Sequence, residues 1–333
     1  MEQRKSIGVD VSKKTLDLAI YAGEFDFSLH LKVSNDSEGF DEIEAWMSEH
    51  DMSANDTVFT MEFTGLYAQS LRQWLESKDI PYFMVNPKKM HDFSVPVNFK
   101  GLGRSKTDFL DSFKIAYYGF SNCHELRPSK LPLPAILKLK RLLAERRQYV
   151  AQACAYKQQR HDIACFESSS SQIRKKSMLA DFKSMINKVD DEIDNVISSD
   201  ATLRTNYDLL TSVIAIGRVV ATETLVLTNN FTSITNPRVY AHYLGVAPDK
   251  KQSGTSVCSP DKTDCVGFRQ EKADLSMVAL AAIKLDPQIK AYWKRRKKEG
   301  KHGGIVLNAI KFKLILRMFA VVKKQRPFVK LDF

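Results

Sequence analysis

The first hydrophobic positions of the chain repeat every second residue. Ile7, Val9 and Val11 alternate with Gly8, Asp10 and Ser12, and Leu16, Leu18 and Ile20 resume the alternation after a short turn. This predicts an N-terminal β-hairpin, Ser6 to Val11 and Thr15 to Tyr21. Further strands are expected at Phe27 to Val33, Thr57 to Phe63 and Pro81 to Val85, with helices at Ser37 to Glu49, Gly65 to Ser77 and Thr107 to Phe120. Such alternation of strand and helix describes a mixed α/β domain ending near residue 128, where the prolines of "LRPSKLPLP" mark a boundary.

Beyond that boundary the period lengthens to that of a helix. Pro134 to Phe166 reads as one long basic helix, and Met178, Phe182, Met185, Val189, Ile193 and Val196 form an apolar stripe on a second. Ser168 to Ser171 reads as the bend between them. Residues 129–202 are thus expected to form a coiled-coil-like helical hairpin, either internal support or a dimer-forming element. Its basic residues Lys138, Lys140, Arg141, Arg146, Arg147, Lys157 and Arg160 can also face nucleic acid. Residues 203–333 form a third, mostly α region, interrupted by an irregular stretch from Gly245 to Gly267; loops of that length are usually functional or mobile.

At 333 residues the chain exceeds one ordinary core, so two or three domains are expected. The net charge of +11 favours a polyanionic partner, because basic side chains release the counterions condensed on a phosphate backbone. The excess is concentrated from Lys290 to Phe333, with 14 Lys or Arg against Glu299 and Asp332; "WKRRKKEGK" is equally readable as a solvated helix end. Five cysteines without a CxxC pair predict a reduced, intracellular protein. The start "MEQRKSIGVD" lacks an apolar signal core and no 18-residue apolar run follows, so neither export nor a membrane span is expected.

Two acids stand inside apolar strands. An unpartnered carboxylate removed from water costs several kcal/mol, so Asp10 must lie at a rim, pair with a cation or bind a metal. Glu62 repeats the problem in "VFTMEFTGLY", on the face of Val58 and Thr60. In "GRSKTDFLDSFKIA", Asp108 and Asp111 share one turn of a predicted helix whose core side would carry Leu110, Phe113, Tyr117 and Phe120. First-turn acids also complement a helix dipole. Set beside Asp10 and Glu62, they complete an oxygen-donor set suited to Mg²⁺, and paired Mg²⁺ ions stabilise the attacking and leaving oxygens of phosphodiester chemistry.

In that order and spacing, "IGVDVSKKTLDLAI", "MEFTGLY" and "SKTDFLDSFKIA" resemble the Asp-Glu-Asp-Asp transposases of bacterial insertion sequences and the related pilin-gene invertases. The resemblance implies a ribonuclease H-like N-terminal domain of the Holliday-junction-resolvase type, with Asp10, Glu62, Asp108 and Asp111 holding Mg²⁺. "YAHYLGVAPDKKQSGTS" resembles the core of the family's C-terminal transposase domain, with Val246 in place of a leucine; by that match Ser253 is the nucleophile, where its plain reading is a turn serine. "LLTSVIAIGRVVATETLV" is similar to the domain's opening helix-hairpin-helix, with Ala215 at a usual glycine and Gly217 kept; Ser276 stands near a usual arginine. The family implies strand cleavage through a covalent phosphoserine, DNA as substrate, a structured noncoding guide RNA, a homodimer or homotetramer, and a bacterial, cytoplasmic, nucleoid-associated location. Three other readings use the same residues: a metal-dependent nuclease that hydrolyses DNA with water, a nucleic-acid-binding protein with structural acids, and a sugar kinase of the actin-like fold. The last lacks further glycine-rich phosphate loops.

Overall fold

Period-two alternation at the N-terminus is realised as a five-stranded sheet in a computed structural model that describes residues 5–24, 26–63, 65, 67–93, 108–163, 168–247, 252–253, 257–258 and 269–329. The chain divides into two units, Met1–Leu131 and Pro132–Phe333.

In the first unit the strands are β1 (Lys5–Val11), β2 (Thr15–Tyr21), β3 (His30–Ser34), β4 (Thr57–Glu62) and β5 (Tyr82–Val85), in spatial order β3-β2-β1-β4-β5. The pairs β1–β2 and β2–β3 are antiparallel, whereas β1–β4 and β4–β5 are parallel. The parallel strands require crossovers, which α1 (Ser37–Glu49) and α2 (Gln69–Ser77) supply. Ile7, Val9, Leu16, Leu18, Phe59 and Met61 form one apolar face and share a core with Phe40, Ile43 and Trp46 of α1 and Leu71 and Leu75 of α2.

The opposite face meets a helix at backbone distance. A Cβ on Gly8 would lie 2.1 Å from the amide N of Ala116 and the carbonyl O of Ser112, both in α4 (Asp108–Ser121); α3 (Pro87–Asp92) is a short helix following β5. Glycine at position 8 is thus a condition for α4 to rest on the sheet. The same closeness explains why α4 buries Ser112, Phe113, Ile115, Ala116 and Gly119. Of the expected core side, Phe113 is buried and Leu110, Tyr117 and Phe120 are partly exposed. The Tyr117 and Phe120 rings stand edge-on to Tyr21 at 5.2 and 5.0 Å.

Two boundaries differ from expectation for local reasons. β3 starts at His30, because the Asp26 carboxylate accepts from the Ser28 N–H (3.0 Å) and hydroxyl (2.6 Å) and holds the preceding residues in a turn. Helix α2 starts at Gln69, because Gly65 adopts φ +74° and cannot begin it.

The second unit is helical: α5 (Pro134–Ile163), α6 (Ser169–Ser198), α7 (Ala201–Ser212), α8 (Arg218–Thr228), α9 (Pro237–Tyr243), α10 (Arg269–Leu285), α11 (Pro287–Lys298) and α12 (Gly303–Lys324). Ile136, Leu139, Leu142 and Leu143 of α5 share a core with Val189, Ile193, Val196 and Ile197 of α6, so the two helices run antiparallel. The apolar stripe of α6 is buried only over its second half, and Met178 and Met185 remain exposed. Nor is the serine run a bend. Ser168 caps α6 by accepting from the Ser171 N–H at 3.3 Å, and Ser169 to Ser171 form its first turn. A two-stranded ribbon of β6 (Gln252–Ser253) and β7 (Val257–Cys258) lies between α9 and α10 in sequence. No helix among the described residues is long and apolar enough to cross a membrane.

Candidate active site

Strand register alone brings the first acids together. Asp10 on β1 stands opposite Asp17 on β2, and Asp17 stands opposite Lys32 on β3. On the other side of β1 the parallel register pairs Val9 with Met61, which sets Glu62, the last residue of β4, at the level of Asp10. Asp10 shares the Ser6 and Gly8 face of its strand, the face covered by α4, and the first turn of α4 supplies Asp108 and Asp111.

Charge at Asp10 reports the crowding. Its pKa is raised from 3.8 to about 6, first by burial and then by the charges of Asp108, Asp111, Asp17 and Glu62. Among the described residues no ion pair reaches Asp10. Among those residues, then, nothing supplies the cation pairing that the sequence leaves open for Asp10.

Among the described residues no group of three His, Cys, Asp or Glu stands ready at metal-binding separation. The carboxylates share a field without forming a closed cage. Such a donor set still suits Mg²⁺, a hard cation that keeps several waters and is completed by one or two carboxylates with substrate phosphates. A closed cage of protein ligands is not what that chemistry requires.

Asp17 and Lys32 escaped the sequence reading. Asp17 is 4% exposed, with the Lys32 Nζ 2.9 Å from Oδ2 and the His30 Nε2 3.3 Å from Oδ1. The latter approach is too poorly angled for a hydrogen bond, so Nε2 is buried without one, and burial holds the imidazole pKa below its ordinary value. The available signal was parity: Asp17 and Ala19 occupy the face of β2 that the hairpin register aligns with Asp10.

Ser253 belongs to the second unit. It closes β6 opposite Val257, while residues 248–251, 254–256 and 259–268 of the predicted loop lie outside the described residues. On α10, which follows the loop, Glu271 accepts from Arg147 Nη2 at 2.8 Å, and the same nitrogen donates to Glu223 at 2.7 Å. Glu223 is 3% exposed, and burial pushes its pKa up to about 8 against the pull of Arg147, with Asp274 adding to the rise. The turn from α7 to α8 holds Ala215 at φ +73°, the left-handed region that a glycine occupies freely, and Gly217 caps α8 without a side-chain hydrogen bond. The basic run ends α11 with Arg295, Arg296, Lys297 and Lys298, and Arg295 and Lys313 lie over the Tyr292 ring at 5.6 and 4.6 Å.

Comparison with known proteins matches both units. A family model described as Transposase, of the DEDD and IS110 type, matches residues 7–164, a span containing Asp10, Glu62, Asp108 and Asp111. A second, described as Transposase IS116/IS110/IS902 family, matches residues 207–294, which contain Ser253. Pilin gene-inverting proteins of Moraxella bovis and Moraxella lacunata are each 26% identical to the chain over 329 residues, which cover 97% of this chain and 97% of each relative.

Proposed function

We propose, from the premise that this chain belongs to the DEDD transposase family of IS110 type, a specific division of labour for its DNA recombination. Asp10, Glu62, Asp108 and Asp111 hold Mg²⁺ against a scissile phosphodiester, and Ser253 attacks that phosphorus. The observation that carries this reading is the crowding of Asp108, Asp111, Asp17 and Glu62 around a half-buried Asp10. Carboxylates that oppose one another's ionisation are relieved either by a proton or by a cation, and a divalent ion lets all of them stay ionised. A ribonuclease H-like fold for the first unit is supported by its mixed five-stranded sheet with α4 over the face of Asp10. We read residues 1–128 as the catalytic domain, 129–202 as a coiled-coil-like arm and 203–333 as the transposase domain.

Bound Mg²⁺ would supply Lewis-acid stabilisation of charge developing on the phosphate oxygens. The Ser253 Oγ forms a bond to phosphorus as the bond to the departing sugar oxygen breaks; the hydroxyl loses its proton and the sugar oxygen gains one. One phosphodiester replaces another. A second sugar hydroxyl can then reverse the step on a new strand and release the serine without an external energy source. The basic charge of the second unit suits DNA and a structured noncoding guide RNA from the same element, acting on a homodimer or homotetramer.

DNA inversion is a second reading, favoured by the similarity to pilin gene-inverting proteins along the full length. It uses the same strand chemistry on differently arranged sites, and the DNA flanking the gene distinguishes them: element ends for transposition, an invertible neighbouring gene for inversion.

The test is a plasmid carrying that flanking DNA, incubated with Mg²⁺ and wild-type, Ser253→Ala or Asp10→Asn protein. Recombinant product and a denaturation-resistant protein–DNA adduct are expected with wild type and lost in both variants. Unchanged strand cleavage by Ser253→Ala would assign the attack to water and overturn the serine mechanism.

A further inference from the structure

The row Lys32–Asp17–Asp10 crosses three strands in register. Asp17 is a buried carboxylate whose partner is unusually open: the Lys32 side chain is 53% exposed and its Nζ holds Asp17 Oδ2 at 2.9 Å. An ammonium has three N–H donors. Among the described residues Asp17 is the one carboxylate paired with it, so the half-open ammonium has donors to spare on the side of the sheet that carries the acids. The Lys32 charge is stabilised first by Asp17 and then feels Asp108 and Asp10, so the ammonium lies in the field of the candidate site.

A pair serving the core alone would seal both partners away from water. Here the buried member lies within the sheet and the open member reaches water while held at 2.9 Å from it. Asp17 is fixed within the sheet under α4, with His30 beside it packed edge-on to Phe109 at 4.7 Å. A phosphodiester approaching these carboxylates is repelled by them, and the Lys32 ammonium offers it an opposite charge in the same field.

We propose that Lys32, aimed by Asp17, binds a non-bridging oxygen of a phosphate in the DNA strand that enters the acidic site, with Asp17 as its positioning residue. This inference rests on the proposed function, since it requires DNA at the Asp10 cluster.

The test separates the two. Full-length protein is titrated with a duplex of the DNA flanking its gene, with Ca²⁺ in place of Mg²⁺, across a range of NaCl concentrations. Lys32→Met, Lys32→Arg, Asp10→Asn and the charge-neutral double variant Asp17→Asn with Lys32→Met are compared with wild type. Loss of one phosphate contact lowers the slope of log affinity against log salt by about 0.9. That decrease is expected in Lys32→Met and in the double variant, which keeps no uncompensated buried charge and so guards against misfolding. Lys32→Arg is expected to keep the wild-type slope. A wild-type slope in both methionine variants overturns the Lys32 assignment, as does absence of salt-dependent binding by wild type. Recombination retained by Asp10→Asn in the parallel plasmid assay with Mg²⁺ overturns the proposed function instead, whatever the slope.

Discussion

Asp10 and Asp17 face each other directly across the antiparallel pairing of β1 and β2. The hairpin therefore holds two like charges side by side, one paired with Lys32 and the other without an ion pair among the described residues. Asp10 carries the cost. Its pKa of about 6 in the folded protein, against an ordinary 3.8, means that the folded state retains a proton that the unfolded state has released between those values. Stability contributed by that proton is present at low pH and is lost as pH rises through the folded value. Asp10→Asn is thus expected to stabilise metal-free protein by about 1 to 3 kcal/mol near pH 8, and hardly at all below about pH 4, while abolishing recombination. Urea denaturation at both pH values checks it; destabilisation near pH 8 would contradict a strained carboxylate.

The contact of Gly8 with the backbone of Ala116 and Ser112 sets where α4 sits, and with it Asp108 and Asp111. Gly8→Ala introduces a methyl group where backbone atoms already stand. We expect a loss of about 1 to 3 kcal/mol, typical of overpacking, together with a fall in recombination greater than unfolding accounts for. Thermal denaturation and recombination assays on the folded fraction measure the two effects.

Ala215 occupies left-handed backbone in the turn between α7 and α8. An L-residue pays about 1 to 2 kcal/mol there, part of which glycine loses again through its freer unfolded chain. Ala215→Gly is expected to raise stability by about 0.5 to 1 kcal/mol. An unchanged or lowered midpoint of denaturation would contradict the strain.

Arg147 bridges Glu223 and Glu271 in the second unit. Arg147→Met strands the buried Glu223 beside the half-buried Glu271, and the expected loss is about 2 to 4 kcal/mol at neutral pH, below that of a fully buried pair because Arg147 is partly open to water. Burial already raises Glu223, so acidification should relieve part of that loss by protonating it. A variant equally weak at low and neutral pH would place the loss in packing instead.

The pattern of the first unit was legible because period two and buried acids leave clear marks in sequence. β1, β2 and β4 lie where Ile7 to Val11, Leu16 to Ile20 and Val58 to Glu62 alternate. Asp17 was not legible in isolation, because its partners arise from register across strands. The buried side of α4 was only partly legible: apolar spacing points to Leu110 and Tyr117, whereas close approach selects Ser112 and Ala116 against Gly8 and Gly119 against Thr60 and Ser6. On α6 the heptad-like stripe continues past the point where the core stops at Val189, since periodicity records an apolar face and not what covers it. Family resemblance supplied Ser253, for which local pattern offers only a turn.

Manganese binding at the acidic cluster tests the account most directly. Mn²⁺ is titrated, under paramagnetic resonance detection, into Ser253→Ala protein bound to a duplex of the DNA flanking its gene. The same titration is made with Asp10→Asn added. The account predicts tight binding in the first and an affinity at least about tenfold weaker in the second, as removal of one hard oxygen ligand and its charge requires. Equal affinity in the two proteins would contradict it.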